Sequence, residues 1–191
     1  YGPERAAMLA NLGWQNLHAA IEDAGGASGP DTRLHIDLAG RDPDAGMTEI
    51  PYEKGATFLR TLEEAVGRER WDAYLRSYFE RHAFQPMTTE RFLEDLRANL
   101  IRGDAELERR LMLDEWAYGT GLPANAVRRE SDAFARVEAE ARRFLAGTPA
   151  AQLATSAWTT QEWQHFLGAL PQGLTAPQLA ELDRAFRLSG Q

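Results

Sequence analysis

Apolar residues recur at helical spacing through most of this chain, and clusters of glycine and proline punctuate them. From about Glu4 to Asp23, Leu9, Leu12, Leu17, Ala20 and Ile21 keep that spacing, until Gly25-Gly26-Ala27-Ser28-Gly29-Pro30 ends the run. Further helices are expected over 50–66, 68–82, from a Thr88 cap to about Leu100, and from Asp104 to about Trp116. Three more are expected near 126–146, 159–170 and 175–188. The last two open on Thr159-x-x-Glu162 and Thr175-x-x-Gln178, the spacing at which side chains satisfy the unpaired N–H groups of a helix start reciprocally. Only residues 33–38 alternate, Arg-Leu-His-Ile-Asp-Leu, which reads as an extended segment or edge strand. Gly119 to Asn125 is the best linker candidate. The pattern predicts a mainly α chain.

The helix opening at Ile50-Pro51-Tyr52-Glu53-Lys54-Gly55 carries the single lysine among 21 basic residues, the other 20 being arginine. Proline suits a first helical turn, where its missing N–H is not needed. That places Tyr52 near the positive end of the helix dipole. On this pattern the helix is expected to bury Tyr52, Ala56, Leu59, Leu62 and Val66 along one face. Read from the residues alone, Tyr52 fits an ordinary half-buried tyrosine as well as a functional one. Glu53 and Lys54 read as ties to neighbouring elements.

Composition narrows the function. Hydrophobic residues at 43% suffice for a packed core. The formal charge of −8 argues against nucleic acid and anionic membrane surfaces as partners. No cysteine is present, so neither a disulfide framework nor a thiolate metal site is available. No apolar run approaches the roughly 20 residues that span a bilayer. The start at Tyr1, without a methionine or a signal peptide, fits a piece of a longer protein. The five tryptophans read as core anchors.

Three segments in order carry a family resemblance: Leu34-His35-Ile36-Asp37-Leu38, Asp42-Pro43-Asp44, and Ile50-Pro51-Tyr52-Glu53-Lys54-Gly55. Glu115-Trp116-Ala117-Tyr118-Gly119 and Gly121-Leu122-Pro123 extend it. The chain resembles the zinc aminopeptidases of the aminopeptidase N family, most closely the branch that includes leukotriene A hydrolase. The resemblance implies the later, helical part of a thermolysin-like catalytic domain over 1–120, then the beginning of a helical C-terminal domain over 121–191. It implies zinc in the full-length protein and peptides as substrates.

The family's His-Glu-x-x-His motif is missing. The four histidines are His18, His35, His82 and His165, no two of them four apart. The zinc ligands, and the segment that holds the substrate's free amine, are therefore expected upstream of Tyr1 in the same polypeptide, with no metal bound by this chain. His82 suits the C-terminal end of its helix, while His18 and His165 read as core residues.

By the resemblance, Tyr52 matches the catalytic tyrosine whose hydroxyl donates to the oxyanion of the attacked peptide carbonyl. Asp44 matches a residue lining the substrate pocket, although an Asp after a proline can equally cap a turn. Ile36 and Pro43 match apolar lining positions, and core packing explains Ile36 as well. Met47 stands where the leukotriene hydrolases have a second tyrosine. It can still line an apolar pocket but weakens the case for epoxide chemistry. The rival to this enzymatic reading is a helical scaffold or interaction module that keeps the fold without the activity.

Overall fold

A computed structural model describes residues 2–128 and 130–190. It is helical, and no strand occurs among the described residues. The chain forms two compact units, Gly13–Arg128 and a second made of Tyr1–Leu12 with Arg129–Gln191. These units cut the chain differently from the expected 1–120 and 121–191. Helix α1, Pro3–Asp23, contributes to both.

In the larger unit, α2 (Glu49–Val66) and α3 (Arg68–His82) are separated only by Gly67. Its φ of 84° lies in the left-handed region, which lets the chain turn without a Cβ penalty. Helix α4, Thr89–Asp95, starts on Thr88, whose hydroxyl accepts from the Arg91 N–H, and runs on into a π-helical stretch, Leu96–Ile101. Helices α5 (Ala105–Leu111) and α6 (Leu113–Tyr118) complete the unit. Around Phe58, Leu62, Trp71, Leu96, Leu100, Leu111 and Trp116 these elements build one core. Trp116 is fully buried, its ring stacked 5.2 Å from that of Phe58. Each such side chain contributes about 1.5–3 kcal/mol through burial.

Several expectations need correction here. The buried face of α2 is Ile50, Lys54, Thr57, Phe58, Thr61 and Leu62, while Tyr52 and Leu59 are exposed. Polar side chains were able to enter the core because each is satisfied: Thr57 donates to the Glu53 carbonyl at 2.8 Å, Thr61 to the Thr57 carbonyl at 2.9 Å. Residues 33–38 form no strand. The His35 N–H donates instead to the Ala117 carbonyl at the end of α6, so the alternating segment is tied to a helix terminus. The helix expected over 104–116 breaks at Met112, whose φ is 51°. There the Asn125 amide donates to the carbonyls of Arg110 and Leu111, which the break deprives of helical partners, and its oxygen accepts from the Trp116 indole at 3.0 Å. His18 is exposed, its ring beside Trp14.

A buried carboxylate anchors the far end of this unit. Asp95 accepts from the Tyr74 hydroxyl at 2.9 Å, from Arg81, from Asn99 at 3.1 Å, and pairs with His82 Nε2 at 2.8 Å. Burial pushes its pKa up, but the hydrogen bonds from His82, Arg81 and Tyr74 outweigh that and hold it below the usual carboxylate range. Burial also pushes the Tyr74 phenol well up, with the bond to Asp95 adding to it.

The smaller unit holds α7 (Asp132–Leu145), α8 (Thr160–Ala169) and α9 (Ala176–Phe186) around Val137, Phe144, Leu153, Phe166 and Leu182. Helix α7 starts at Asp132, six residues later than expected, because Ser131 caps it. The reciprocal cap at Thr159 and Glu162 forms as its spacing suggests. His165 is buried, stacked on Phe134 at 4.0 Å with its Nε2 3.0 Å from Glu138. No described helix is long and apolar enough to cross a membrane.

Candidate functional site

The start of α2 is fixed from below. Thr48 caps it, its hydroxyl accepting from the Ile50 N–H at 3.3 Å, and Ile50 is buried with Leu17 and Ile21 of α1. One turn on, Lys54 is completely buried, and its ammonium donates to the carbonyls of Thr32 and Gly119, each at 2.9 Å. Thr32 extends the tie: its hydroxyl donates to the Gly29 carbonyl at 2.6 Å and accepts from the Gly121 N–H at 2.8 Å. Gly121 has a φ of 61°, and a Cβ there would lie 2.8 Å from the Ala27 carbonyl oxygen, so only glycine fits that approach. One amine thus joins α2, the turn Pro30–Thr32 and the segment after α6. Burial pushes the Lys54 pKa down to about 8, with the Arg33 charge adding to it. Neutral or charged, the amine has enough N–H groups for both carbonyls.

Residues 50, 54, 57 and 58 face inward, so position 52 lies on the opposite side of the helix. Tyr52 is 66% exposed, and its phenol has no hydrogen-bond partner among the described residues. Pro43 and Asp44 open a 3-10 turn, Pro43–Gly46, capped by the Asp42 carboxylate, which accepts from the Asp44 N–H at 3.0 Å. The Asp44 carbonyl accepts in turn from the Met47 N–H at 3.0 Å. Both Asp44 and Met47 are exposed, Met47 to 71%, whereas Ile36 is half-buried. The turn-capping role weighed for Asp44 thus falls to Asp42, and the Asp44 carboxylate is free for other work. Tyr52, Pro43, Asp44 and Met47 are all presented outward, from the first turn of α2 and from the 3-10 turn with its C-terminal cap, within one unit; no hydrogen bond joins Tyr52 to the others among the described residues.

Residues 6–116 match the family model described as the peptidase family M1 domain. The chain belongs to peptidase family M1. It is 33% identical over 115 residues to leucine aminopeptidase 2 of Coccidioides immitis, covering 59% of this chain and 18% of the relative. Over 115 residues it is 35% identical to leucine aminopeptidase 2 of Aspergillus terreus, with the same coverage. The family member thus spans about a fifth of the length of these curated relatives. Its fold is that of part of yeast LTA4 hydrolase, solved in complex with bestatin: TM-score 0.73, 22% identity, 97% of this chain and 33% of that one. Native leukotriene A4 hydrolase from Saccharomyces cerevisiae gives a TM-score of 0.70 at 22% identity, over 96% of this chain and 32% of that one.

M1 aminopeptidases are generally zinc-dependent. The described residues do not fit such a metal, since no three histidine or acidic side chains converge to hold one. Each histidine is placed separately: His18 by Trp14, His35 Nδ1 3.2 Å from the Thr89 hydroxyl, His82 on Asp95, His165 on Glu138.

Lys54 stands out in the sequence as the single lysine among arginines, but nothing in the sequence marks its partners. Thr32, which knots the same tie, carried no signal that periodicity could reveal.

Proposed function

We propose that this M1 chain is the part of a metallo-aminopeptidase that supplies the transition-state donor and one wall of the substrate pocket, in an enzyme that removes N-terminal residues from peptides. The observation that carries the reading is the presentation of Tyr52: an unpartnered, outward-facing phenol within Pro51-Tyr52-Glu53-Lys54-Gly55, on a helix start secured by Thr48, Ile50 and Lys54. A donor held ready for charge that develops on a carbonyl oxygen stabilises the transition state without reorganising. Asp44, Pro43, Met47 and Ile36 line the substrate side. The leucine aminopeptidase relatives point the same way. The zinc ligands belong to the upstream part of the same polypeptide, and the 191-residue chain alone turns over no aminoacyl anilide.

Tyr52→Phe in the full-length protein is the test, because it keeps the ring and the helix start and removes only the donor. Turnover is expected to fall by about 10²–10³, with the Michaelis constant little changed. Retention of more than about a third of wild-type turnover would overturn the assignment.

A further inference from the structure

Helix α3 carries Arg70, Tyr74, Ser77 and Arg81 at spacings of four, three and four, a single helical face. This face and the end of the π-helical stretch enclose a cavity of about 500 Å³, to which Asn99 and Arg102 also contribute. Three guanidinium groups therefore border one small polar hollow in a chain whose formal charge is −8. Of the three, Arg81 alone is paired with a carboxylate among the described residues, that of Asp95, which accepts from it through both oxygens. Arg70 and Arg102 meet no carboxylate among the described residues; Arg70 donates to the Leu100 carbonyl, and Arg102 Nε to the Asn99 carbonyl at 2.8 Å. These bonds orient both side chains yet leave each most of its five N–H donors. Ser77 accepts from Arg81 and so keeps its own proton to donate. Three guanidiniums against one carboxylate leave an excess of two positive charges, which matches a dianion with several acceptor oxygens.

We propose that the hollow between α3 and the π-helical end of α4 binds a phosphate or phosphomonoester group, held by Arg70, Arg81 and Arg102 with the Ser77 hydroxyl as an additional donor. Arg81 is locked in place by Asp95, so that guanidinium is pre-positioned, and Arg70 and Arg102, which line the same hollow, supply the remaining donors. If Arg70 and Arg102 serve only to cap the last carbonyls of a helix end, no ligand binds at all.

The test is calorimetric titration of inorganic phosphate and, separately, methyl phosphate into the 191-residue chain, with ionic strength held constant by sodium chloride. Saturable binding at one site per chain is expected, and the tighter of the two ligands identifies the source as free or esterified phosphate. Arg102 adopts a φ of 59°, a conformation that glycine takes freely, so Arg102→Gly removes a guanidinium without straining the backbone. It is expected to weaken binding about tenfold or more with the helical signal unchanged, the loss of one charge-assisted contact. Arg70→Gln should do the same. Failure of both ligands to saturate, an equal response to chloride alone, or full binding by Arg102→Gly would overturn the proposal.

Discussion

The Lys54 ammonium donates to the Thr32 carbonyl at 2.9 Å, across 22 residues of sequence and in the absence of any water-exposed side-chain surface. An amine in such a place could have been replaced by an apolar side chain only if its two carbonyl acceptors found other donors.

Lys54→Met keeps most of the side-chain length and removes the donor. It leaves the carbonyls of Thr32 and Gly119 without this partner, each buried unsatisfied group costing about 1–3 kcal/mol, partly offset because a buried charge is also removed. Unfolding by urea should show a net loss of about 2 kcal/mol with the slope unchanged. A loss below about 0.5 kcal/mol would show the tie to be dispensable.

The same amine sets a pH dependence. Its pKa is about 8 folded against 10.5 for the free group, so between these values the unfolded chain binds one more proton than the native one. Stability attributable to Lys54 is therefore lowest below pH 8 and rises with pH above it, by up to about 1.4 kcal/mol per unit. The raised pKa values of Tyr74, Tyr78 and Tyr118 pull the other way above about pH 10. The difference in stability between wild type and Lys54→Met, followed from pH 7 to 10, isolates the effect, and a flat difference contradicts it.

Asp95 acts with the opposite sign. Its carboxyl is held below its ordinary value, so its contribution is present at neutral pH and is lost as pH falls through the folded value. Asp95→Ala leaves Tyr74 and Arg81 without their acceptor and should cost about 3–5 kcal/mol, whereas Tyr74→Phe should cost only about 1 kcal/mol. Thermal melts of the two variants check the order; equal effects would mean that the network is not centred on the carboxylate.

Zinc offers a separate check. The 191-residue chain, dialysed against trace zinc, is expected to retain none in stoichiometric amount. One equivalent found by elemental analysis would mean that ligands lie within these residues after all.

How much of this was legible in the sequence depends on which physical signal carried it. Thr88, Ser131 and Thr159 mark helix starts through local hydrogen bonds; the residue type announced Thr88 in advance and the spacing to Glu162 announced Thr159. The face of α2 was misjudged because apolar counting skipped Lys54, Thr57 and Thr61, which are buried only by virtue of bonds to carbonyls that periodicity does not encode. Likewise nothing at Met112 signals a left-handed residue, since the break depends on Asn125 arriving from thirteen positions downstream. For the candidate site, the Pro-Tyr-Glu-Lys-Gly run identified the family. The outward aim of Tyr52 followed only once Ile50 and Lys54 were seen to face inward.

Because Lys54 is the only lysine and is fully enclosed, amine-directed chemistry has a single side-chain target that native packing conceals. Acylation of that nitrogen can proceed only while α2 is released from the turn at Thr32. The rate at which a lysine-selective reagent marks this one side chain therefore measures how often this unit opens, giving the protein a built-in clock for local unfolding.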